Sequence, residues 1–404
     1  MSTKKITICI FVAILGYVMS ERLQSRRQSV PVIYVRGSHY DVGFDVGRTL
    51  GALIKTYIAT SETLRQLERE YKTDAGRQAY EKTLANMKKR FPYYVKEIQG
   101  VAEGANVAFH HLFLLQLDDI ILTINDNHVP RNDTGGCSSV AFKNEHNIIL
   151  GHTEDAATEI LNHFYIMSAH IIPTKEDREH GAVEERFTSL CYAGQMPGYT
   201  MGFNQNGLVF SINTLSPLLL KPGNTPRTFI TRKLLTAKNF RNAEKILRDE
   251  GLGIGNGFSV NMLWSDAWGD VQIYNVEVAP DLKADRSIIG VRKFDKDPLV
   301  HCNKYEHLKV TEVTGPIIAS SNSRLKAIRS HPTPASKEDV CSILSDTTSK
   351  DFQVFSQEKD AFIKTIAAAI FDVDKRTWSI YIDKPEESEP VAVLPIRFAN
   401  FYAD

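Results

Sequence analysis

Cysteine is scarce in this sequence: five in 404 residues, at positions 9, 137, 191, 302 and 341, with no C-x-x-C pair. That excludes a disulfide framework and the paired thiols of a structural zinc site. An excess of either charge is missing as well, since 48 Lys and Arg balance 48 Asp and Glu. With no basic block longer than Lys88-Lys89-Arg90, the chain has no electrostatic grip on phosphates, and nucleic acid is not an expected partner. The usual signatures of nucleotide, zinc-protease and serine-hydrolase sites are absent: there is no G-x-G-x-x-G, Walker Lys-Ser/Thr, H-E-x-x-H or G-x-S-x-G. Gly251, Gly253, Gly255 and Gly257 read instead as a flexible loop, and His110-His111 beside Asp118-Asp119 lack ligand spacing. Neither cofactor nor metal is expected.

Long apolar runs are also few. Ile6 to Val18 carries no charge, follows Lys4-Lys5 and precedes Met19-Ser20 and the charged stretch Glu21 to Arg27. This pattern predicts a secretory signal over residues 1–20, or an uncleaved signal anchor, and with it a secreted or membrane-anchored protein. The alternative is an apolar extension on a cytoplasmic chain. The sequon Asn132-Asp133-Thr134 adds little to either reading.

What is present suits a large folded core: 43% hydrophobic and 24% charged residues. From Asp41 the pattern is helical, with Gly43, Gly47 and Gly51 at every fourth position, a spacing that lets a neighbouring element approach closely. Further helices are expected from about Ser61 to Lys89 and from Tyr94 to Ala108. After Gly136 the period falls towards two. Strands are expected at 138–142, 147–153, 163–171, 186–192 and 207–213, then a helical interlude at 227–249, then strands at 259–265, 271–278, 366–372 and 377–382. Helices near Arg324 and Lys337 separate the last two groups. Runs of strands split by runs of helices predict an α+β layered fold with mainly antiparallel sheets. No repeat or Pro/Ser-rich linker interrupts it, so residues 32–404 are expected to form one domain.

Cys191, Cys302 and Cys341 lie in apolar or mixed runs and read as buried hydrophobes. Cys137 differs. In Thr134-Gly135-Gly136-Cys137-Ser138-Ser139-Val140 it stands where a polar stretch meets the first strand of the β-rich region. Gly136 has no Cβ, so its carbonyl is open to attack by the neighbouring thiol. Hydrolysis of the resulting ester would cut the chain and leave Cys137 with thiol and α-amine on one residue. Such an amine, with an ordinary pKa of ~7.7 to 8.0, is itself a base for the thiol. A cysteine hydrolase without a Cys/His dyad is thereby accounted for.

Blocks downstream keep the order of a known family. Gly136-Cys137-Ser138-Ser139 is followed by Gly151-His152-Thr153-Glu154-Asp155, Pro197-Gly198, Gly202 to Leu208, Ser211-Ile212-Asn213-Thr214, Ser259-Val260-Asn261, Asp266 with Gly269, His301-Cys302-Asn303, and Ser323-Arg324 with Arg329. From about Val32 to the carboxyl terminus the chain resembles the N-terminal nucleophile hydrolases related to acyl-coenzyme A:6-aminopenicillanic acid acyltransferase. The block Arg36 to Arg48 looks closest to the arthropod members that hydrolyse β-alanyl-dopamine. The resemblance implies a four-layer αββα sandwich of antiparallel sheets flanked by helices. It also implies a self-inflicted cut between Gly136 and Cys137, giving a helical piece ending at 136 and a β-rich piece, 137–404, that stay together. Cys137 would be the nucleophile, Asp155 would fix its free amine, and Asn213 and Asn261 would donate to the oxyanion. Arg324 would order Asp155 and the thiolate. Relatives usually carry Arg-Asn where this chain has His152-Thr153, so a titratable imidazole stands where a fixed positive charge is expected.

The implied activity is hydrolysis of small N-acyl amines, namely β-alanyl amides of biogenic amines such as dopamine or histamine. Glu154 and Tyr192 are among many candidates to receive the substrate. The alternatives are transfer of the acyl group to an amine, and an uncut, non-catalytic binding protein on the same scaffold.

Overall fold

The computed structural model describes residues 29–122, 136–266, 269–358 and 361–399. The leader expected over 1–20 and the sequon at Asn132 lie outside them. Among the described residues no helix is long and apolar enough to cross a membrane.

The chain starts with strand β1 (Val32–Gly37) and a run of helices: α1 (His39–Thr60), α2 (Glu62–Tyr71), α3 (Asp74–Arg90), α4 (Pro92–Ala105), α5 (Phe109–Leu115) and α6 (Asp118–Ile121). Strands β2 (Ser138–Lys143), β3 (Ile148–Ala157) and β4 (Phe164–Ile171), helix α7 (Lys175–Glu179), and strands β5 (Glu185–Tyr192), β6 (Met201–Asn204) and β7 (Leu208–Leu215) follow. Helices α8 (Arg227–Leu234) and α9 (Phe240–Arg248) lead to β8 (Gly257–Ser265), β9 (Val271–Pro280), β10 (Ser287–Phe294) and β11 (Leu299–His301). The last elements are α10 (Pro316–Ser330), α11 (Lys337–Leu344), β12 (Ile363–Asp372), β13 (Thr377–Tyr381) and β14 (Ala392–Pro395).

These strands form two sheets, ordered β1-β4-β5-β6-β7-β8-β9-β10 and β11-β2-β3-β12-β13-β14. Every pair is antiparallel except β1 with β4. The sheets touch where β2 meets β7 and β9; α1 packs on β1 and β4, while α11 packs on β3 and β12. This is the expected α+β sandwich, with helices on both outer faces.

Local rules account for the helix ends. Ser38 caps α1 in a reciprocal box with Asp41, whose carboxylate accepts the Ser38 N–H at 3.0 Å. The segment 61–89, expected as one helix, is broken at Lys72-Thr73, where the Thr73 hydroxyl caps α3; likewise 227–249 breaks where Asn239 caps α9. The glycines of α1 do serve close packing. A β-carbon on Gly43 would sit 2.1 Å from Glu97 O, and one on Gly104 of the facing α4 would sit 2.1 Å from Phe44 O. The two backbones therefore approach as far as sterics allow. The glycine run 251–257, expected to be flexible, is tied down instead: Gly255 N–H donates to Thr225 O at 2.8 Å and Gly251 N–H to Asp285 O at 2.8 Å. Cys191, Cys302 and Cys341 are buried, as expected.

Candidate active site

Strand alternation sorts the residues around Cys137 onto two faces. Cys137 opens β2; Ser139, two residues on, points between the sheets and reaches Asn213 of β7, while Ser138 points outward to Arg324 of α10. On the paired strand β3, His152 and Glu154 share the inner face with Cys137. Asp155 falls on the other side, where its Oδ2 accepts the Gly136 N–H at 3.2 Å. A shift in register of β12, between Thr365 and Ala367, lies opposite Asp155 and Glu154. Irregularities of this kind re-aim side chains at a site.

The Cys137 thiol lies 3.8 Å from Glu154 Oε1 and 3.8 Å from Asp155 O, and the Asp155 N–H donates to Sγ at 3.5 Å. Burial pushes this thiol well above its ordinary pKa, and the Glu154 and Asp155 carboxylates push the same way. Burial also raises Asp155, to about 7, against the opposing pull of Arg324, Thr365 and the Gly136 N–H. In the uncut chain the thiol is thus protonated.

The carbonyl of Cys137 is gripped from two sides, by Arg324 Nη1 at 2.7 Å and Asn213 Nδ2 at 2.9 Å. Arg324, fully buried, spends the rest of its fork on Ser138 Oγ at 3.0 Å, Asn303 Oδ1 at 3.0 Å and Ser320 Oγ at 3.1 Å. Its hydrogen bonds therefore go to the Cys137 carbonyl and to neighbouring polar side chains, and it acts on Asp155 and the thiol through its charge. Asn261 stands one step back from where the sequence puts it. Its Nδ2 donates to Asn213 Oδ1 at 2.7 Å and Ser139 Oγ at 2.9 Å, and its own Oδ1 accepts from Asn275 at 2.9 Å. Asn213 is the amide that reaches Cys137.

Residues to which the sequence reading gave no catalytic role belong to this cluster. His152 donates or accepts at both ring nitrogens, 2.8 Å from Ser139 Oγ and 3.1 Å from Glu154 Oε2, and the Tyr192 hydroxyl donates to Glu154 Oε1. The His152 imidazole thus contacts Glu154 and Ser139. Asn303 pins the Gly136 side: a β-carbon there would meet its Oδ1 at 2.3 Å. The signal was available in part, since residues two apart on one strand share a face, which joins Cys137 to Ser139 and His152 to Glu154. That the two pairs meet depends on the β2–β3 register, Ser139 opposite His152.

Cys137 lies on the wall of a cleft of about 250 Å³ that is partly open to solvent. Its lining carries the carboxylates of Asp118, Glu154, Asp155 and Glu159, the aromatic rings of Tyr57, Tyr192, Tyr199 and Phe362, and the guanidinium of Arg227. Glu159 is already committed, accepting from the Glu62 N–H at 2.7 Å and Ser61 Oγ at 2.7 Å. Among the described residues, ligand-type atoms of Cys137, His152 and Glu154, and separately of Glu68, His110 and His111, lie within 4.8 Å of one another. In the first trio the carboxylate already accepts from Tyr192 and His152, and in the second His111 Nε2 lies 2.9 Å from Glu68 Oε1.

A Drosophila melanogaster protein described as a beta-alanyl-dopamine/carcinine hydrolase is 42% identical over 388 residues, which cover 94% of this chain and 99% of that one. The sequence model of the acyl-coenzyme A:6-aminopenicillanic acid acyl-transferase family matches residues 142–387. That span begins just past Cys137 and takes in Asp155, Asn213, Asn261 and Arg324. With its two-sheet sandwich, the chain belongs to this acyltransferase family of hydrolase-like enzymes.

Proposed function

We propose that this chain is a cysteine amidase, made as a precursor and split between Gly136 and Cys137, that hydrolyses β-alanyl amides of biogenic amines to β-alanine and the free amine. The observation that carries the reading is the thiol of Cys137 beside the scissile Gly136, on the wall of an acidic, aromatic cleft. The near full-length similarity to the Drosophila hydrolase supplies the substrate class. A β-alanyl ammonium suits the carboxylates of that cleft, and a catechol or imidazole suits its rings.

After the cut, the α-amine of Cys137 takes the thiol proton and the thiolate attacks the β-alanyl carbonyl. Of the side-chain amides, Asn213 is the one that reaches the reacting residue, with Asn261 and Asn275 holding it in line. The tetrahedral intermediate expels the amine, which takes its proton from the Cys137 ammonium, and water resolves the β-alanyl thioester. Asp155, beside the Gly136 nitrogen, is close to where the new ammonium forms and pairs with it. The two pieces stay associated because β1 of the first is hydrogen-bonded to β4 of the second.

Purified protein on a denaturing gel, with product analysis on β-alanyl-dopamine, tests this. Two bands and release of β-alanine and dopamine are expected for the wild type, with one band and no activity for Cys137→Ala. A fully active, unsplit enzyme would refute the reading. Intact-mass analysis of the same sample also reports whether a leader near residue 20 has been removed, which separates a cleaved secretory signal from an uncleaved anchor.

A further inference from the structure

The cut poses a problem that the mature enzyme does not have. While the chain is whole, the nitrogen of Cys137 is a peptide nitrogen and has no basicity, so the residue cannot deprotonate its own thiol. We infer that Glu154 is the base for self-cleavage, taking the thiol proton of Cys137 in the precursor; this rests on the proposed cut at Gly136.

Geometry supports the assignment. Glu154 Oε1 is within hydrogen-bond reach of Sγ at 3.8 Å, and its side chain is on the same face of the sheet as the thiol. Asp155, the neighbouring carboxylate, points to the opposite face and is engaged with the Gly136 N–H. Glu154 is also held in place. Tyr192 donates to Oε1, and His152 Nε2 approaches Oε2 at 3.1 Å while its Nδ1 is fixed by Ser139 Oγ at 2.8 Å. Tyr192, His152 and Ser139 are positioning residues, because they act through the carboxylate. The Asp155 N–H, 3.5 Å from Sγ, is placed to receive the negative charge as the proton leaves.

The steps balance. The thiol proton passes to Glu154 as Sγ bonds to the Gly136 carbonyl carbon. Glu154 then returns the proton to the Cys137 nitrogen as the C–N bond breaks, which leaves Gly136 as a thioester on Sγ and a free amine on Cys137. Water hydrolyses the thioester, giving the Gly136 carboxylate, the thiol and a proton, which the new amine of Cys137 takes. Glu154 ends the sequence as it began it.

The test is a time course of splitting of the full-length chain after cell-free synthesis, read on denaturing gels with and without neutral hydroxylamine, which cleaves thioesters. The wild type is expected to split, and Glu154→Gln to split about 100-fold more slowly in both conditions, the scale of a lost general base. Splitting of Glu154→Gln at the wild-type rate, or its acceleration by hydroxylamine to that rate, would overturn the proposal, because the thioester would then form without the carboxylate. Glu154→Ala with added formate separates chemistry from folding: a formate-dependent recovery of splitting supports the assignment, and no recovery in a chain that melts like uncut Cys137→Ala contradicts it. If the wild type itself stays whole, the proposed cut fails instead.

Discussion

A β-carbon on Gly136 would fall 2.6 Å from Nη2 of Arg324, and 2.3 Å from the Asn303 oxygen that accepts from it. Neither side chain is free to retreat. Asn303 Nδ2 donates to Thr214 O at 3.0 Å, and Arg324 Nη1 holds the Cys137 carbonyl. Absence of a side chain at 136 is therefore a requirement of this neighbourhood as well as of an exposed carbonyl. Gly136→Ala should fold but shift the scissile bond against its thiol, slowing the split by about 100-fold, as displacements of the order of 1 Å do. A pulse-chase gel would show this, and unchanged splitting would remove the steric argument.

The two asparagines differ in distance from the reacting residue. Asn213 touches Cys137, whereas Asn261 touches Asn213. Asn213→Ala should lower kcat/KM by about 100-fold, the scale of a lost oxyanion donor. Asn261→Ala should cost less, and the double variant little more than Asn213→Ala alone, because the second residue works through the first. Independent losses that multiply would place Asn261 in direct contact with the oxyanion.

Much of this arrangement was legible beforehand. Asp155 on the Gly136 N–H, and Asn213 and Arg324 on the Cys137 carbonyl, converge on the Gly136-Cys137 dipeptide, and the strands of strong period two occur where expected. What escaped is short or at an edge. β6 and β14 have four residues each, and β10, an outer strand with Arg292 and Lys293 exposed, lacks a clean apolar face. β1 precedes a helical region and pairs with a strand over a hundred residues later, in parallel, so no local pattern announces it. The inward polar residues Ser139, His152 and Ser211 were not predicted as a unit, since their partners are fixed by register across the two sheets rather than by spacing along the chain.

Asp155 gives the uncut chain a pH dependence. Its folded pKa of about 7 is above the ordinary 3.8, so the folded state holds this proton more tightly than the unfolded state. The associated stability is fully present below the ordinary value and is lost as pH rises through about 7. Asp155→Asn in a Cys137→Ala background removes that loss. The variant should gain stability relative to its parent as pH rises from about 4 to about 8, read as a widening gap between urea midpoints. A gap independent of pH would mean that Asp155 is already ionised beside Gly136.

The last prediction concerns what holds the pieces after a cut. Arg232 of α8 lies wholly buried between two carboxylates, 2.9 Å from Glu97 Oε2 of α4 and 2.6 Å from Glu185 Oε2 of β5, with His39 Nδ1 of α1 2.8 Å from Glu97. His39 and Glu97 precede position 136; Glu185 and Arg232 follow it. Burial works against the charge on Glu97, but Arg232 and the His39 hydrogen bond bring its carboxyl down to about 2. A carboxyl depressed in this way stabilises the fold above its ordinary pKa and loses that contribution as pH falls towards about 2. Removing Glu97 leaves Arg232 paired with Glu185 but takes the acceptor from its Nε and Nη2, at a typical cost of about 1 to 3 kcal/mol for buried unsatisfied donors. In the split protein that cost opposes association, so Glu97→Ala should make the pieces separate on dilution in size-exclusion runs where wild-type pieces co-elute. The same substitution in uncut Cys137→Ala should only lower the urea midpoint, because the intact chain still joins the two halves. Co-elution of the Glu97→Ala pieces at every concentration would assign their cohesion to the apolar core and the β1–β4 pairing alone.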